Sequence, residues 1–372
     1  MRRTAPLILG AGPAGCAAAI VLAEHGVRPI MLDRDAEARD QLCGGFLSWR
    51  TADQLRALGV DPVKMGARRV ENVALLADGR EVVTPLPSPA FGLSRRALDS
   101  ALRDRALAAG AQLEIDTARG IEGAEVIGRK RRWAGEGLFI ATGKHDLRGI
   151  GRPRPSRDPA LGMRVRLPAT RERTELLAGR IELHLFAGGY AGVVLHEDGS
   201  ANVCLAVRKS LLAHSDGDPA RLLGDLAREH PPLAERLDRD WKADAIETIG
   251  AVPYGWTARV TAPGLFRLGD QAAVIPSLAG EGISIALASG ALAARVWFAH
   301  GAAGAELFQR RLAEEVHAPL RAAGLARMIA ESPLAARLGL ALAARVPAAL
   351  HWLIDASRIA PDAPLAQPAS AP

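Results

Sequence analysis

The sequence predicts a mixed α/β fold in which a parallel βαβ domain carries an inserted antiparallel β-sheet domain and a helical C-terminus. Two glycine-rich turns, each placed between an apolar strand and a helix, predict the parallel part. Short alternating apolar runs between these turns predict the antiparallel sheet. A chain of 372 residues has room for both, because it is about two domains long.

The composition is that of an ordinary globular chain. Apolar residues make up 49% and charged residues 24%, which argues against extensive disorder. No uninterrupted apolar run of about 18 residues predicts a membrane span, and the N-terminus does not resemble a secretory signal. Three widely spaced cysteines predict neither a disulfide framework nor a metal site and favour the cytoplasm. The net charge of +6 comes from dispersed arginines, and with 4% aromatic residues it argues against nucleic-acid binding.

The first glycine-rich turn has the spacing GxGxxG in a βαβ context. Its residues are Gly10, Gly12, Pro13, Ala14 and Gly15. Leu7–Leu9 predicts a buried strand before it, residues 14–25 predict a helix after it, and residues 27–32 predict a second strand. Glycines in such a turn let a pyrophosphate approach the helix N-terminus. Asp33 and Arg34 follow the second strand, where an acid binds ribose hydroxyls, so the segment predicts dinucleotide binding.

The second glycine-rich turn lies far downstream, before a helix predicted for residues 282–299. Its residues are Gly269, Asp270, Pro276, Gly280, Glu281, Gly282 and Ile283. The Asp270 carboxylate suits a ribityl hydroxyl, and the helix N-terminus suits the negative charge that reduction places on a flavin ring. Because both turns occur in one chain in this order, they predict FAD as the cofactor.

The two turns resemble those of FAD-dependent oxidoreductases of the p-hydroxybenzoate hydroxylase and geranylgeranyl reductase superfamily. The resemblance implies a Rossmann-like FAD-binding domain. It also implies that Arg95, in an R-x-x-x-D segment, touches the flavin side of the site, and that Thr142 and Gly143 end a strand near the adenosine half. A C-G-G-x-x-S segment resembles that of the geranylgeranyl reductases, and its residues implied at the flavin are Cys43, Gly44 and Gly45.

Three residues are candidates for catalysis: Tyr190, Tyr254 and Cys43. Either tyrosine could donate a proton near the flavin, with a tyrosine that merely packs a turn as the alternative. A buried, inert thiol is the alternative for Cys43. At the position of segment 188–192 the geranylgeranyl reductases usually have a G-Y-x-W motif followed by Phe-Pro. This chain lacks both the tryptophan and the Phe-Pro, which argues against the usual substrate of those enzymes. His196 and Glu197 precede a turn and are predicted to be solvated.

Three regions are predicted along the chain. The FAD-binding domain is discontinuous and comprises residues 1–70, 92–160 and 250–300. The substrate domain comprises residues 71–91 and 161–249. Residues 301–372 form C-terminal helices and a loose tail, and these helices could close the site, pair with a second subunit or lie on a membrane surface.

The function predicted is an FAD-dependent oxidoreductase acting on a hydrophobic or aromatic small molecule. A single-component monooxygenase comes first, because oxygenation is the commoner outcome on this scaffold. A geranylgeranyl-reductase-like enzyme that delivers hydride to a C=C bond is the second interpretation, and a non-catalytic FAD-binding protein is the third. With one GxGxxG motif and no CxxC pair, the electrons must come from NAD(P)H or from a reduced partner protein.

Overall fold

The computed structural model describes residues 5–123, 125–153, 156–238 and 241–360, and the strands in these ranges form three sheets. The strands are β1 (Leu7–Leu9), β2 (Ile30–Asp33), β3 (Phe46–Leu47), β4 (Arg68–Ala77), β5 (Arg80–Gly92), β6 (Gln112–Ile115), β7 (Ala118–Glu122), β8 (Glu125–Gly128), β9 (Arg132–Ala134), β10 (Leu138–Ile140), β11 (Ala160–Leu167), β12 (Gly179–Phe186), β13 (Gly189–Leu195), β14 (Ala201–Arg208), β15 (Glu247–Val252) and β16 (Leu265–Arg267). The α-helices are α1 (Pro13–Glu24), α2 (Trp49–Ala57), α3 (Arg95–Ala109), α4 (Arg171–Leu177), α5 (Lys209–His214), α6 (Pro219–Glu229), α7 (Pro231–Leu237), α8 (Gly282–His300), α9 (Ala305–Glu315), α10 (His317–Ala330), α11 (Pro333–Arg345) and α12 (Pro347–Ala356).

The first sheet is parallel and has the strand order β16-β10-β1-β2-β6. Its central strand β1 is completely buried, as expected for a parallel strand covered on both faces. The register aligns Leu9 with Ile140 and Ile140 with Arg267, so β1, β10 and β16 end at one level. The turns that follow these three strands therefore meet at one edge of the sheet, although they are far apart in sequence.

The second sheet is mixed and has the order β15-β11-β14-β13-β12-β4-β5-β3. Most of its pairs are antiparallel, as the alternating pattern predicts, but β4 and β12 run parallel. These two strands belong to separate excursions of the chain, 68–92 and 160–252, so no hairpin turn forces them to be antiparallel. A small third sheet of β7, β8 and β9 pairs antiparallel and packs beside β1 and β10.

The C-terminal region continues from α8 into four further helices. The segment Gly282–Glu315 is long and apolar enough to cross a membrane, but 72% of its most apolar window is buried inside the protein. The helices α11 and α12 are bent by 113° at the break between them, where Pro347 begins α12. A loose tail is predicted for residues 360–372. Of these, only residue 360 is among the described residues.

Candidate active site

A cavity of about 1050 Å³ is lined by both large sheets and by the C-terminal helices. The two glycine-rich turns line one part of it. Apolar side chains of the second sheet and of α10–α12 line another part; among them are Leu75, Leu86, Leu183, Val194, Ile329 and Leu340. The predicted nucleotide-binding edge therefore opens directly into an apolar chamber.

The turn between β1 and α1 has no room for a side chain at two of its glycines. Gly10 has φ +104°, and a Cβ atom there would lie 2.4 Å from the carbonyl oxygen of Ala141. A Cβ atom on Gly15 would lie 1.9 Å from the carbonyl oxygen of Gly10. These close approaches hold α1 against the sheet and bring its N-terminus, at Gly12 and Pro13, to the cavity wall.

The carboxylate of Asp33 is fixed at the end of β2. Its Oδ2 accepts a hydrogen bond of 2.8 Å from the backbone N–H of Ala11. The guanidinium of Arg103 lies 3.2 Å from the same oxygen and donates to the carbonyl of Ala11 over 2.9 Å. Arg34, which follows Asp33, also lines the cavity, with about half of its side chain exposed.

Arg95 begins α3 and is held by a bidentate ion pair. Its Nε and Nη2 donate to the two carboxylate oxygens of Asp99 over 2.9 and 2.7 Å. Burial raises the pKa of Asp99, while the charge of Arg95 acts in the opposite direction. Arg95 Nη2 lies 3.6 Å from where a Cβ atom on Gly12 would be, so this guanidinium stands beside the glycine turn.

The Cys43-Gly44-Gly45 loop is anchored from the second sheet. The side-chain amide of Asn202 donates to the carbonyl oxygens of Cys43 and Gly44 over 3.0 and 2.9 Å. Gly45 has φ +69°, and a Cβ atom on it would lie 2.1 Å from Nε2 of His196. No atom lies within 4 Å of where a Cβ on Gly44 would be, so the loop presents bare backbone to open space.

The prediction that His196 and Glu197 are solvated is wrong. His196 is buried, and burial lowers its pKa to about 4. The Glu197 carboxylate accepts hydrogen bonds from the backbone and the hydroxyl of Ser94 over 2.8 and 2.6 Å. The turn that follows β13 folds back onto the start of α3, and both residues therefore support the cavity wall. This contact joins segments far apart in the chain, so the local sequence does not reveal it.

The turn after β16 carries a second charged pair. The Nζ atom of Lys144 lies 3.3 Å from Oδ2 of Asp270, and this negative charge raises the pKa of Lys144. Arg152 donates to the carbonyl oxygens of Asp270 and Lys144 over 2.9 and 2.7 Å, which ties the two turns together. The backbone N–H of Gly269 donates to the hydroxyl of Ser289 over 2.8 Å, which fixes the turn on α8.

The side chain of Glu281, which the sequence predicts at the cofactor, is held by a distant segment of the chain. It is completely buried, lies outside the cavity lining and accepts a hydrogen bond of 2.5 Å from Arg358. The carboxylate therefore attaches the segment that follows α12 to the start of α8. Gly15 and Pro276 also lie outside the lining. The remaining predicted site residues line the cavity: Gly10, Gly12, Pro13, Ala14, Asp33, Arg34, Cys43, Gly44, Gly45, Arg95, Thr142, Gly143, Tyr190, Tyr254, Gly269, Asp270, Gly280, Gly282 and Ile283.

The two tyrosines meet at one serine. The phenol oxygens of Tyr190 and Tyr254 lie 2.5 and 2.7 Å from Oγ of Ser277. Burial raises the pKa of both phenols, that of Tyr190 well above its ordinary value. Lys144 acts against this rise at Tyr254, because its positive charge favours a phenolate. Both hydroxyls are therefore protonated at neutral pH.

Among the residues that build the site, Arg103, Lys144, Asn202 and Ser277 were not predicted from the sequence. Arg103 and Asn202 act through distant loops, so no local pattern could reveal them. Lys144 and Ser277 do have a local signal. Lys144 follows Thr142-Gly143, which the family resemblance implies at the site, and Ser277 follows Pro276 of the second glycine-rich turn.

The residues around the turns fit an FAD molecule. At Gly10 a Cβ atom would not fit, so the turn stays narrow. At Gly44 the absence of a side chain leaves the backbone accessible to a planar ring. The N-terminus of α1 suits a pyrophosphate, and Asp33 and Asp270 each offer carboxylate oxygens to sugar hydroxyls. Arg95 and Lys144 supply positive charge to the same cavity.

Sequence comparisons agree with this arrangement. Residues 3–119 match the family model of an FAD binding domain. The chain is 28% identical over 324 residues to digeranylgeranylglycerophospholipid reductase 2 of Methanopyrus kandleri, a match that covers 78% of this chain and 76% of that protein. It is 26% identical over 319 residues to the menaquinone reductase of Mycolicibacterium smegmatis, covering 79% and 76%.

Solved structures share the fold. The flavin-dependent brominase Bmp2 superposes with a TM-score of 0.75 at 13% identity, covering 95% of this chain and 94% of that one. A geranylgeranyl bacteriochlorophyll reductase-like protein from Thermoplasma acidophilum superposes with a TM-score of 0.70 at 19% identity, covering 95% and 99%. At these identities the likeness concerns the fold.

Proposed function

We propose that this chain, an FAD-dependent oxidoreductase of the p-hydroxybenzoate hydroxylase and geranylgeranyl reductase superfamily, reduces carbon–carbon double bonds of an isoprenoid chain. The observation that carries the proposal is the continuity between the FAD-binding turns and an apolar chamber. The two relatives reported above support it, because their names describe reductases of a digeranylgeranyl lipid and of menaquinone, and both compounds carry isoprenoid chains.

The chamber suits a long hydrocarbon. The second sheet contributes branched apolar side chains, and the helices α10–α12 close over them with Ile329, Leu340, Leu350 and Leu353. Polar side chains in this part of the lining include the tyrosine pair, Ser277, Glu247 and Thr248. Burial of apolar surface would be the main contribution to the free energy of substrate binding here.

Reduction of a double bond adds a hydride to one carbon and a proton to the other. FAD, when bound and reduced, supplies the hydride. The chain must supply the proton, and the hydroxyls of Tyr190, Tyr254 and Ser277 are protonated donors that line the cavity beside the second glycine turn. Tyr254 is the better acid of the two, because the positive charge of Lys144 stabilises its phenolate. Tyr190 then orients Ser277, which bridges the two phenols.

A single-turnover assay tests the reaction. The purified holoenzyme is reduced with dithionite without oxygen and mixed with geranylgeraniol, and the products are analysed by mass spectrometry. We expect a product that has gained two hydrogens per reduced bond, together with reoxidation of the flavin absorbance. A product that gains an oxygen atom when air is admitted, with no hydrogenated product in its absence, would overturn the proposal in favour of the monooxygenase predicted first from the sequence.

The tyrosine pair provides a sharper test. We expect Tyr254→Phe to lower the single-turnover rate about a hundredfold, the usual size of a general-acid contribution. Tyr190→Phe should cost much less, because it leaves the donor in place. The solvent deuterium isotope effect should increase in the slow variant. Equal rates for wild type and Tyr254→Phe would assign the proton to another group, with Cys43 the next candidate.

The same holoenzyme preparation can be used to identify the electron donor. NADH, NADPH and a reduced ferredoxin are each mixed with the oxidised holoenzyme without oxygen, and bleaching of the flavin absorbance is recorded. We propose that one of these two classes, a nicotinamide coenzyme or a reduced partner protein, supplies the electrons, because the chain has a single GxGxxG motif and no CxxC pair.

A further inference from the structure

Arg327 of α10 lies on the ring of Tyr254. The central carbon of its guanidinium is 4.9 Å from the centre of the ring, a distance at which a cation and an aromatic face attract each other. Ala330, at the end of the same helix, is buried in one apolar cluster with both tyrosines of the site. The helix α10 therefore packs against the tyrosine pair, and Arg327 places a positive charge on one of the two rings.

An ion-pair network fixes Arg327 in this position. Its guanidinium pairs with the carboxylate of Glu331, one helical turn further on, and both side chains are largely buried. Arg208 on β14 approaches the same carboxylate, with its Nη2 atom 2.7 Å from Oε2. The carbonyl oxygen of Glu331 also accepts a hydrogen bond of 3.0 Å from the backbone N–H of Gly188, in the turn before β13. Because β13 carries Tyr190, the network ties α10 to the strand of one phenol while Arg327 contacts the other.

The network leaves a positive charge beside both phenols. Two guanidiniums share one carboxylate, so one positive charge is not neutralised within the network. Burial raises the pKa of both phenols, and the charge of Arg327 acts against this rise at each of them. Lys144 also favours a phenolate at Tyr254. The Cys204 thiol acts in the opposite direction at both phenols, and Tyr254 does so at Tyr190. A phenolate formed here is therefore stabilised from α10 as well as from Lys144.

We propose that Arg327 is the positioning residue of the proton donor: it holds the ring of Tyr254 beside Ser277 and stabilises the charge that the phenol acquires when it gives up its proton. In the proposed reduction, the proton leaves Oη of Tyr254 and bonds to the substrate carbon next to the one that receives the hydride. The phenolate left behind regains a proton from water before the next turnover. The kinetic role rests on the proposed function, whereas the effect of Arg327 on the ionisation of Tyr254 does not.

Titration of the phenol tests the electrostatic effect. The chain contains two tyrosines, so Tyr190→Phe leaves Tyr254 as the single phenol. Growth on a fluorinated tyrosine, whose hydroxyl is more acidic than that of tyrosine, brings its ionisation into a pH range in which the holoenzyme stays folded, and fluorine NMR records it. We expect a higher pKa for this phenol when Arg327→Gln is added, and a smaller rise with Arg327→Lys, which keeps the charge but not the planar guanidinium. Arg321→Gln, which removes an exposed arginine from the same helix, is the matched control and should leave the pKa unchanged.

A kinetic readout keeps the outcomes distinct. In single-turnover reduction of geranylgeraniol, we expect Arg327→Gln to lower the rate about tenfold at unchanged flavin content, which is part of the general-acid contribution. It should have no further effect in Tyr254→Phe protein, because the two residues act on one step. If no protein, wild type included, reduces the substrate while the phenol titration still responds to Arg327→Gln, the proposed function fails and the electrostatic effect stands.

Two results would overturn the proposal. One is an unchanged pKa of the Tyr254 phenol in folded Arg327→Gln protein. The other is an equal loss of rate when Arg327→Gln is added to Tyr254→Phe protein, which would give Arg327 a merely structural role. The same two criteria apply to Arg327→Lys if Arg327→Gln does not fold.

Discussion

The two parts of the cavity are built from opposite kinds of residue. The FAD-binding part is made of glycines, backbone groups and paired charges, such as Gly10, Asp33 and the Lys144–Asp270 pair. The chamber is made of interchangeable apolar side chains from the second sheet and α10–α12. The first part therefore tolerates almost no change of shape, whereas the second sets only volume and polarity. Cofactor specificity therefore depends on a few residues, whereas substrate specificity depends on many.

The largest expected effect comes from Gly15→Ala. The added Cβ atom would meet the carbonyl oxygen of Gly10 at 1.9 Å and push α1 off the sheet. Overpacking of this kind costs about 2 kcal/mol or more of unfolding free energy and displaces the phosphate-binding turn. We expect a purified protein without flavin absorbance and with a lower Tm. Gly224→Ala in α6 is the control, since no atom lies within 4 Å of its Cβ position, and a Tm unchanged or raised is expected there.

Asp270→Ala should have the next largest effect. It removes the carboxylate proposed to bind a ribityl hydroxyl and leaves Lys144 without its ion-pair partner. We expect FAD to be lost during gel filtration, measured as the ratio of flavin to protein absorbance. Asp53→Ala, which removes an exposed carboxylate on α2, should retain the flavin. A fully loaded Asp270→Ala protein would refute the assigned role.

His196 should make the FAD-binding part sensitive to acid. Its pKa is lowered to about 4 because the ring is buried. The unfolded chain therefore takes up a proton near pH 6.5 that the folded protein takes up only near pH 4, so stability falls as the pH drops between these values. We expect this residue to account for ~2 kcal/mol of the loss of unfolding free energy from pH 7 to pH 5. Urea unfolding of His196→Asn should show a correspondingly smaller loss.

The chamber should respond to volume alone. Ala343→Phe fills part of it, whereas Ala344→Phe places the same ring on the exposed face of the same helix. We expect the first variant to retain FAD and to lose about tenfold in activity on a long isoprenoid, equivalent to about 1.4 kcal/mol, with little effect on a short one. The second variant should match wild type. Loss of flavin from Ala343→Phe would show that the two parts are not independent.

The sequence predicted the FAD-binding part well because its signals are local. A glycine required at one backbone position can be read directly from the motif, as Gly10 and Gly15 illustrate. The same signals predicted helix boundaries to within a residue or two. For example, the helix predicted for residues 14–25 is α1, which spans Pro13–Glu24. Local signals do not show the direction of a side chain: the neighbours of Glu281 line the cavity, whereas its own side chain turns inwards to Arg358.

The chamber could not be predicted in the same way. Alternating apolar residues fix which face of a strand is buried but not which other strand lies beside it, and the parallel pairing of β4 with β12 is one such case. Tyr190 and Tyr254 each looked like a tyrosine beside a glycine. Their convergence on Ser277 depends on how β13 packs against the turn after β16.

The amino-acid sequence by itself determined the cofactor-binding turns, their order and the apolar character of the intervening strands, because these depend on backbone conformation and local periodicity. Only the tertiary structure decided which charges pair and which hydroxyls share a serine. Those properties depend on contacts between segments far apart in the chain, and such contacts are set by the packing of the whole molecule.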